Sequence, residues 1–305
     1  MNDKVTILMA TYNGALFIEE QLDSIINQTY SNWELIIRDD NSKDNTTSII
    51  KRYCEEDNRI TFILSESNVG QTMNFNKLLE LTDNSKYIMF ADQDDVWKNN
   101  KIKITLENMK MEELRKGESH PILVYTKLTY VNEKLQPINT INASEGNGDL
   151  KTLLGYNFIW GCTMMLNKAL RDIVYPIGNK AQNHDYWIAL SVALHGSIIR
   201  IDKETMLYRQ HNNNVTGGMN NTSIIKKIKN INKLLKSYIK QIEQNLQFCE
   251  MNKQFNNKLL KEYSEIFEGS GIGATFKANK FGLKRHTKKD TFIYKLCIML
   301  GYSKN

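Results

Sequence analysis

The sequence has no run approaching the roughly 18 to 20 apolar residues that a membrane-spanning helix needs. Its four cysteines, Cys54, Cys162, Cys249 and Cys297, stand far apart, with no C-x-x-C pair and no zinc-type spacing. That argues against a disulfide framework or zinc module and points to reduced thiols in a cytosolic protein. Asn2-Asp3-Lys4 precedes a short apolar strand, which is not the pattern of a signal peptide. A soluble chain is expected, attached at most to a membrane surface. No Gly- and Lys-rich phosphate loop occupies Thr11 to Ala15, and no G-x-G-x-x-G follows the first apolar run. Nucleotidyl transfer and dinucleotide-dependent redox chemistry thus lack their usual phosphate cradle. No internal repeat or low-complexity linker is visible, and 41% apolar residues with 10% aromatics is too rich for disorder.

A chain of 305 residues can bury one large core, or a catalytic domain with a small appendage. The net charge of +6 is unevenly spread. Residues 222–305 hold 17 Lys and Arg against 6 Asp and Glu, while residues 1–221 hold 23 against 28. An acidic front and a basic tail point to two tasks, or to one task at an anionic surface. The charge change and the Gly217-Gly218 pair place a boundary near 215–222, dividing a catalytic domain (1–218) from a basic helical region (219–305).

From residue 4 to 92, strand and helix patterns alternate. Val5 to Ala10, Leu35 to Ile37, Ile60 to Leu64 and Tyr87 to Ala91 read as strands, the first buried on both faces. Ile18, Leu22, Ile25 and Ile26 recur at helical spacing, and Asp44 is the expected N-cap of the next helix. Such alternation forces right-handed crossovers and a mostly parallel sheet flanked by helices. Further on, the pattern predicts a helix over 99–115, a strand from Ile122 to Val131, a polar loop over 139–149 and a strand over Trp160 to Leu166. Asp185 to His195 suits a helix, two strands follow near 197–201 and 205–210, and 223–267 is helical in period.

Ligands of open α/β sheets bind at the carboxyl ends of strands. Those ends are acidic here: Asp39-Asp40 after the second strand and Asp92-Gln93-Asp94-Asp95 after the fourth. Carboxylates so close repel one another unless a cation or hydrogen-bond donor compensates. Carboxylate oxygens are the hard ligands that Mn²⁺ or Mg²⁺ prefers, and such ions commonly bridge one or two carboxylates to substrate phosphates. A D-x-D at a strand end is therefore a candidate bridge to a diphosphate.

Ala10-Thr11-Tyr12-Asn13-Gly14, Ile37-Arg38-Asp39-Asp40-Asn41-Ser42-Lys43-Asp44 and Ala91-Asp92-Gln93-Asp94-Asp95-Val96-Trp97 resemble, in order, the signatures of the family 2 glycosyltransferases. The likeness spans roughly residues 4–215 and implies the GT-A fold, a nucleotide-diphospho-sugar donor and inverting transfer. It further implies that Thr11, Tyr12, Asn13 and Asp39 bind the nucleotide base, the aspartate accepting the base N3–H. Asp92 is then the ribose and diphosphate-side acid, and Asp94 the metal ligand. Asp40 reads as a turn-former beside Asn41. Phe75-Asn76 stands where many members carry Arg-Asn, which leaves open the second cation facing the diphosphate.

In the second half, Gly161-Cys162-Thr163-Met164-Met165-Leu166-Asn167 resembles the family's acceptor-lining strand, with Trp160 and Gly161 at its start. Asn183-His184-Asp185-Tyr186-Trp187 resembles the acidic motif at a helix start. Activating a sugar hydroxyl calls for a carboxylate in hydrogen-bond reach, and Asp185 is the only acid in that window. Asp185 is the expected base, His184 either orients acceptor or base or merely caps the helix, and Trp187 is an accessory residue. Tyr208 to Gly217 resembles the segment that closes over the donor; within it His211 is a candidate metal contact or a structural histidine, and Arg209 a candidate phosphate partner.

In the tail, Phe281, Leu283, Phe292, Ile293, Tyr294, Leu296, Ile298, Met299 and Leu300 interleave with lysines and Arg285, which suits a helix in an anionic membrane interface or a solvated face. No nucleic-acid motif is recognisable. The sequence is thus read as an inverting, metal-dependent glycosyltransferase using dTDP-L-rhamnose or a UDP-sugar, closest in its motif variants to bacterial rhamnosyltransferases. Its acceptor is a hydroxyl of a cell-surface polysaccharide or lipid-linked glycan, and its location cytoplasmic or peripheral on the inner face of the membrane. The alternatives are a nucleotidyltransferase on a similar fold and an inactive glycan-binding homologue.

Overall fold

The computed structural model describes residues 3–138, 146, 148–211 and 224–301, with only the backbone of 224–233. Its strands are β1 (Val5–Thr11), β2 (Trp33–Asp39), β3 (Ile60–Leu64), β4 (Tyr87–Ala91), β5 (Val96–Trp97), β6 (Ile122–Val131), β7 (Met164–Asn167) and β8 (Ser197–Arg209). The helices are α1 (Ile18–Ile26), α2 (Thr46–Glu56), α3 (Gln71–Glu80), α4 (Lys101–Lys116), α5 (Leu150–Gly155) and α6 (Lys168–Val174). They continue as α7 (His184–His195), α8 (Ile224–Met251), α9 (Lys258–Phe267), α10 (Gly271–Phe281) and α11 (Lys288–Met299). Contacts group the chain into two units: 1–141, 159–177 and 195–218 in the first, 142–158, 178–194 and 219–305 in the second.

The first unit holds one sheet of eight strands in the order β3-β2-β1-β4-β7-β6-β8-β5. β3, β2, β1 and β4 run parallel, as the alternating pattern predicts. Beyond β4 the sheet is mixed, because β7 is antiparallel to both β4 and β6. β1 and β4 lie inside the sheet with helices on both faces, so nearly every side chain in them is apolar and buried. β2 alternates instead: Trp33, Leu35 and Ile37 face the core, and the same phase carries Asp39 inward at the strand's end.

Several local expectations change. The run from Trp160 begins with a 3₁₀ turn, Gly161–Thr163, and only Met164–Asn167 is strand. The two strands expected near 197–201 and 205–210 are one, β8, whose exposed Asp202-Lys203-Glu204 breaks the apolar pattern while register shifts against β6 absorb the irregularity. The two-residue β5 was invisible to pattern reading. The N-cap position of α2 is Asn45; Asp44 accepts from the Thr46 N–H at 3.1 Å one residue earlier. The long helical stretch breaks after α8, where Asn256 turns left-handed (φ 47°) and Asn257 caps α9 through the N–H groups of Leu259 and Leu260. The Gly217-Gly218 boundary, residues 212–217 of the expected closing segment and most of the 139–149 loop lie outside the described residues.

The second unit explains why 142–158 and 178–194 join the tail. Asn245 Nδ2 donates to the Leu154 carbonyl (2.9 Å), and Gln241 Nε2 to the Gly155 carbonyl (2.9 Å) and the Tyr186 hydroxyl (2.8 Å). Arg285 lies 4.4 Å over the Tyr238 ring and donates to the Gly155 carbonyl at 2.8 Å. Phe281, Leu283, Tyr294 and Ile298, expected at a membrane interface, are instead buried in this core. Gly155 sits where a Cβ would lie 2.1 Å from the Lys284 carbonyl oxygen. Gly155→Ala should therefore cost about 1–3 kcal/mol, the range of overpacked sites. A thermal melt indistinguishable from the parent's would show that α5 does not meet the 284 backbone this closely.

Candidate active site

Because β1, β2 and β4 are parallel neighbours, their carboxyl ends share one edge of the sheet. The register pairs Thr11 with Asp39, and the Thr11 hydroxyl donates to Asp39 Oδ2 at 2.7 Å. Asp39 is fully buried and also accepts from the Ser42 N–H (2.7 Å) and the Ser42 hydroxyl (2.6 Å). A carboxylate offers about four acceptor positions, so one remains after these three bonds.

The two strand-end loops are then stitched together. The Asn13 N–H donates to Ser42 Oγ, the Lys43 N–H to Asn13 Oδ1, and the Gly14 N–H to Thr46 Oγ1, each at 2.8 Å. Asn13 itself is left-handed (φ 49°). The Ala15 N–H reaches Asp44 Oδ2 at 3.1 Å. Burial opposes the charge on Asp44, but the hydrogen bonds from Thr46 and Ala15 prevail and lower its pKa. Asp40 takes the Val69 N–H (2.9 Å) and Gly70 N–H (2.8 Å), so it anchors the start of α3 rather than merely shaping its own turn.

Gln93 is the residue that sequence reading overlooked. Its side-chain amide accepts from the Tyr12 N–H (2.8 Å) and donates to the Tyr12 carbonyl (3.0 Å), pairing with the peptide as a strand would. A Cβ on Gly14 would lie 2.3 Å from Gln93 Oε1, so a larger residue there would push the Gln93 amide aside. The middle position of D-Q-D-D thereby ties the end of β4 to the end of β1.

After the turn, β5 pairs with β8, Val96 opposite Leu207 and Trp97 opposite Met206. That pairing carries Arg209 and His211 back to the acidic turn. His211 Nε2 lies 2.7 Å from Asp94 Oδ2, and the imidazole packs 5.0 Å from the Phe17 ring. Arg209, the candidate phosphate partner, is held by the protein itself. Its guanidinium is buried, donates to the Asp94 carbonyl (2.8 Å), the Glu133 carbonyl and the Glu20 carboxylate, and lies 4.5 Å over Phe17. Its backbone N–H donates to Asp95 Oδ1 at 3.1 Å.

Asp95 is wholly buried, and its pKa is raised well above the carboxylate norm by that burial and by the charges of Asp94 and Asp92. Its other oxygen, Oδ2, is a buried acceptor without a hydrogen-bond partner among the described residues. Asp92, which receives Gln71 Nε2 at 3.4 Å, groups with Asp95 and Cys162, one ligand atom from each within 4.8 Å of the others. Lys101 is buried nearby at Thr205 Oγ1 (3.3 Å), and burial lowers its pKa to about 8. A turn with three carboxylates, an imidazole and an unmatched buried oxygen fits a divalent cation of the Mn²⁺ or Mg²⁺ kind. The partly accessible pair of Asp94, a hard carboxylate, and His211, a borderline imidazole, suits it better than the set containing the soft thiol of Cys162.

The remaining expected residues differ in how far they are buried. Trp160 is half-buried at 5.5 Å from the Tyr208 ring, and Gly161 is buried in its turn. In the second unit, Trp187 is buried against Phe248 (5.4 Å). His184 is buried too, and burial drops its pKa to about 3, so it is a neutral ring at the start of α7. Asp185 follows in the first turn, half-buried.

The glycosyl transferase family 2 model matches residues 6–174. The dTDP-rhamnosyl transferase RfbG of Shigella flexneri is 31% identical over 309 residues, covering 96% of this chain and 99% of that protein. The chain belongs to glycosyltransferase family 2. Two solved structures share its fold: S. aureus TarS 1-349 in complex with UDP, and the mannosyltransferase PcManGT of Pyrobaculum calidifontis with GDP-Man and Mn²⁺. TarS has TM-score 0.53 and 18% identity over 84% of this chain and 72% of its own. PcManGT has TM-score 0.54 and 14% identity over 99% of this chain and 88% of its own. The fold is GT-A, and the protein is a glycosyltransferase with a nucleotide-sugar donor.

Gln93→Ala frees the Tyr12 peptide from two hydrogen bonds worth about 0.5–1.5 kcal/mol each. Donor affinity, measured by titration calorimetry, should fall about tenfold with little change in melting temperature. Unchanged affinity would show that the Tyr12 backbone needs no such tether.

Proposed function

We propose that the enzyme transfers L-rhamnose from dTDP-L-rhamnose, with inversion, to a hydroxyl of a cell-surface polysaccharide or lipid-linked glycan. The observation that carries this is the relation to a dTDP-rhamnosyl transferase that runs through nearly all of both chains, catalytic unit and tail alike. In this reading Asp39 uses its remaining acceptor position for the N3–H of the thymine, and Thr11, Tyr12 and Asn13 border the base. Asp92 takes the ribose and diphosphate side. Asp94 and His211 would hold a divalent cation, which would supply positive charge beside the diphosphate. Gln93 and Arg209 keep the acidic turn and the base-binding loop in place.

Asp185 is the general base of this proposal. It accepts the proton of the acceptor hydroxyl as that oxygen forms the new bond to the anomeric carbon. The bond from that carbon to the diphosphate breaks on the opposite side, and dTDP leaves. Its neighbour His184, neutral in the core, does not compete for the proton. Four free thiols, three of them buried, are consistent with a reducing compartment, and we place the protein in the cytoplasm.

Asp185→Asn keeps the shape of the side chain but cannot accept a proton. With dTDP-L-rhamnose as donor, kcat should fall about 10² to 10⁴-fold while donor KM stays near the parent value. Transfer within a few-fold of the parent would move the base elsewhere.

A further inference from the structure

The tail expected to lie on a membrane turns out to have two sides. In α10, Ala274, Ala278 and Phe281 face the core of the second unit, as do Tyr294, Cys297 and Ile298 in α11. The opposite sides are apolar as well. On α10, Ile272 (84% exposed) and Phe276 (67%) are one turn apart; on α11, Phe292 (68%), Leu296 and Met299 follow at intervals of four and three. Those intervals place each set on one helix face. The two helices pack together, and Lys295 Nζ of α11 donates to Asn279 Oδ1 of α10 at 2.7 Å. Asn279 lies three residues from Phe276 and Lys295 three from Phe292, so this bond joins the two apolar rows into one exposed face.

Charge decides what covers it. Between residues 270 and 301 there are seven Lys and Arg and one acid, Asp290, which is occupied by Thr287 at 2.7 Å. Lys280, Lys284, Lys288 and Lys289 are exposed around the apolar rows. A second copy docking through the same face would bring these cations against their own counterparts. A nucleic acid would leave Ile272 and Leu296 without an apolar partner. A bilayer with anionic headgroups satisfies both features: the apolar row enters the interface and the lysines meet the headgroup charge. No helix among the described residues is long and apolar enough to cross a membrane, so the hold is peripheral.

We infer that the outer face of α10 and α11 seats the enzyme on an anionic lipid surface, with Phe276 and Phe292 as apolar anchors and Lys288 and Lys289 as electrostatic contacts. The inference is independent of the sugar transferred, so loss of the donor assignment leaves it standing. Truncating the tail would not test it, because Phe281 and Tyr294 belong to the core. The test is vesicle co-sedimentation of the full chain, using phosphatidylcholine with and without phosphatidylglycerol. The parent should sediment with the anionic vesicles only, and less as salt rises. F276S/F292S and K288E/K289E should each weaken partition about tenfold or more, with unchanged melting curves and unchanged donor hydrolysis in solution. Three outcomes would overturn the inference: no sedimentation of the parent, equal sedimentation of parent and variants, or self-association of the parent that F276S/F292S abolishes.

Discussion

Three carboxylates within four consecutive residues repel one another, and the first unit is organised around holding them. Arg209 is the fastening. It grips the Asp94 carbonyl, the Glu20 carboxylate and the Glu133 carbonyl, while its N–H satisfies one oxygen of Asp95. A buried guanidinium in this place offsets negative charge and fixes the backbone that presents Asp94. The short β5–β8 pairing brings Arg209 there, and two residues later brings His211 to Asp94. Asp95 remains in low dielectric, where its own ionisation is disfavoured. Positive charge entering this turn is therefore favoured electrostatically.

The Thr11–Asp39 pair depends on strand register in the same way. Asp39 lies in the buried phase of β2 and directly across from Thr11, so one residue's slip would separate the two. Gln93 links this pair of strands to the acidic turn through the Tyr12 peptide. The ends of β1, β2 and β4 are thus parts of one hydrogen-bonded edge, and a change at Gly14 would be felt at Gln93.

Much of this was legible in the sequence because burial on both faces leaves uninterrupted apolar runs, as in β1 and β4, and acids stand where those runs end. The sequence marks Asp94 as a metal ligand but leaves His211 open between a metal contact and a structural histidine, and only the β5–β8 pairing brings the two together. What stayed hidden depends on long-range packing. Arg209 reads as a free cation until β8 is seen to bury it. Gln93 reads as a spacer between acids. In the tail, alternating apolar residues at helical spacing cannot say which row faces inward, and Tyr294 and Phe292 differ only in that. The grouping of 142–158 and 178–194 with the tail rests on side-chain amides such as Gln241 and Asn245, whose partners no local pattern reveals.

The central claim, that the acidic turn binds a nucleotide sugar through a divalent cation, is tested most directly by thermal stabilisation. At 100 times its Kd, dTDP-L-rhamnose should add about 2.7 kcal/mol when Mn²⁺ is present and far less when it is chelated, and Asp94→Ala should lose the Mn²⁺-dependent part. Equal stabilisation with and without metal, or a full metal effect in Asp94→Ala, would contradict the account.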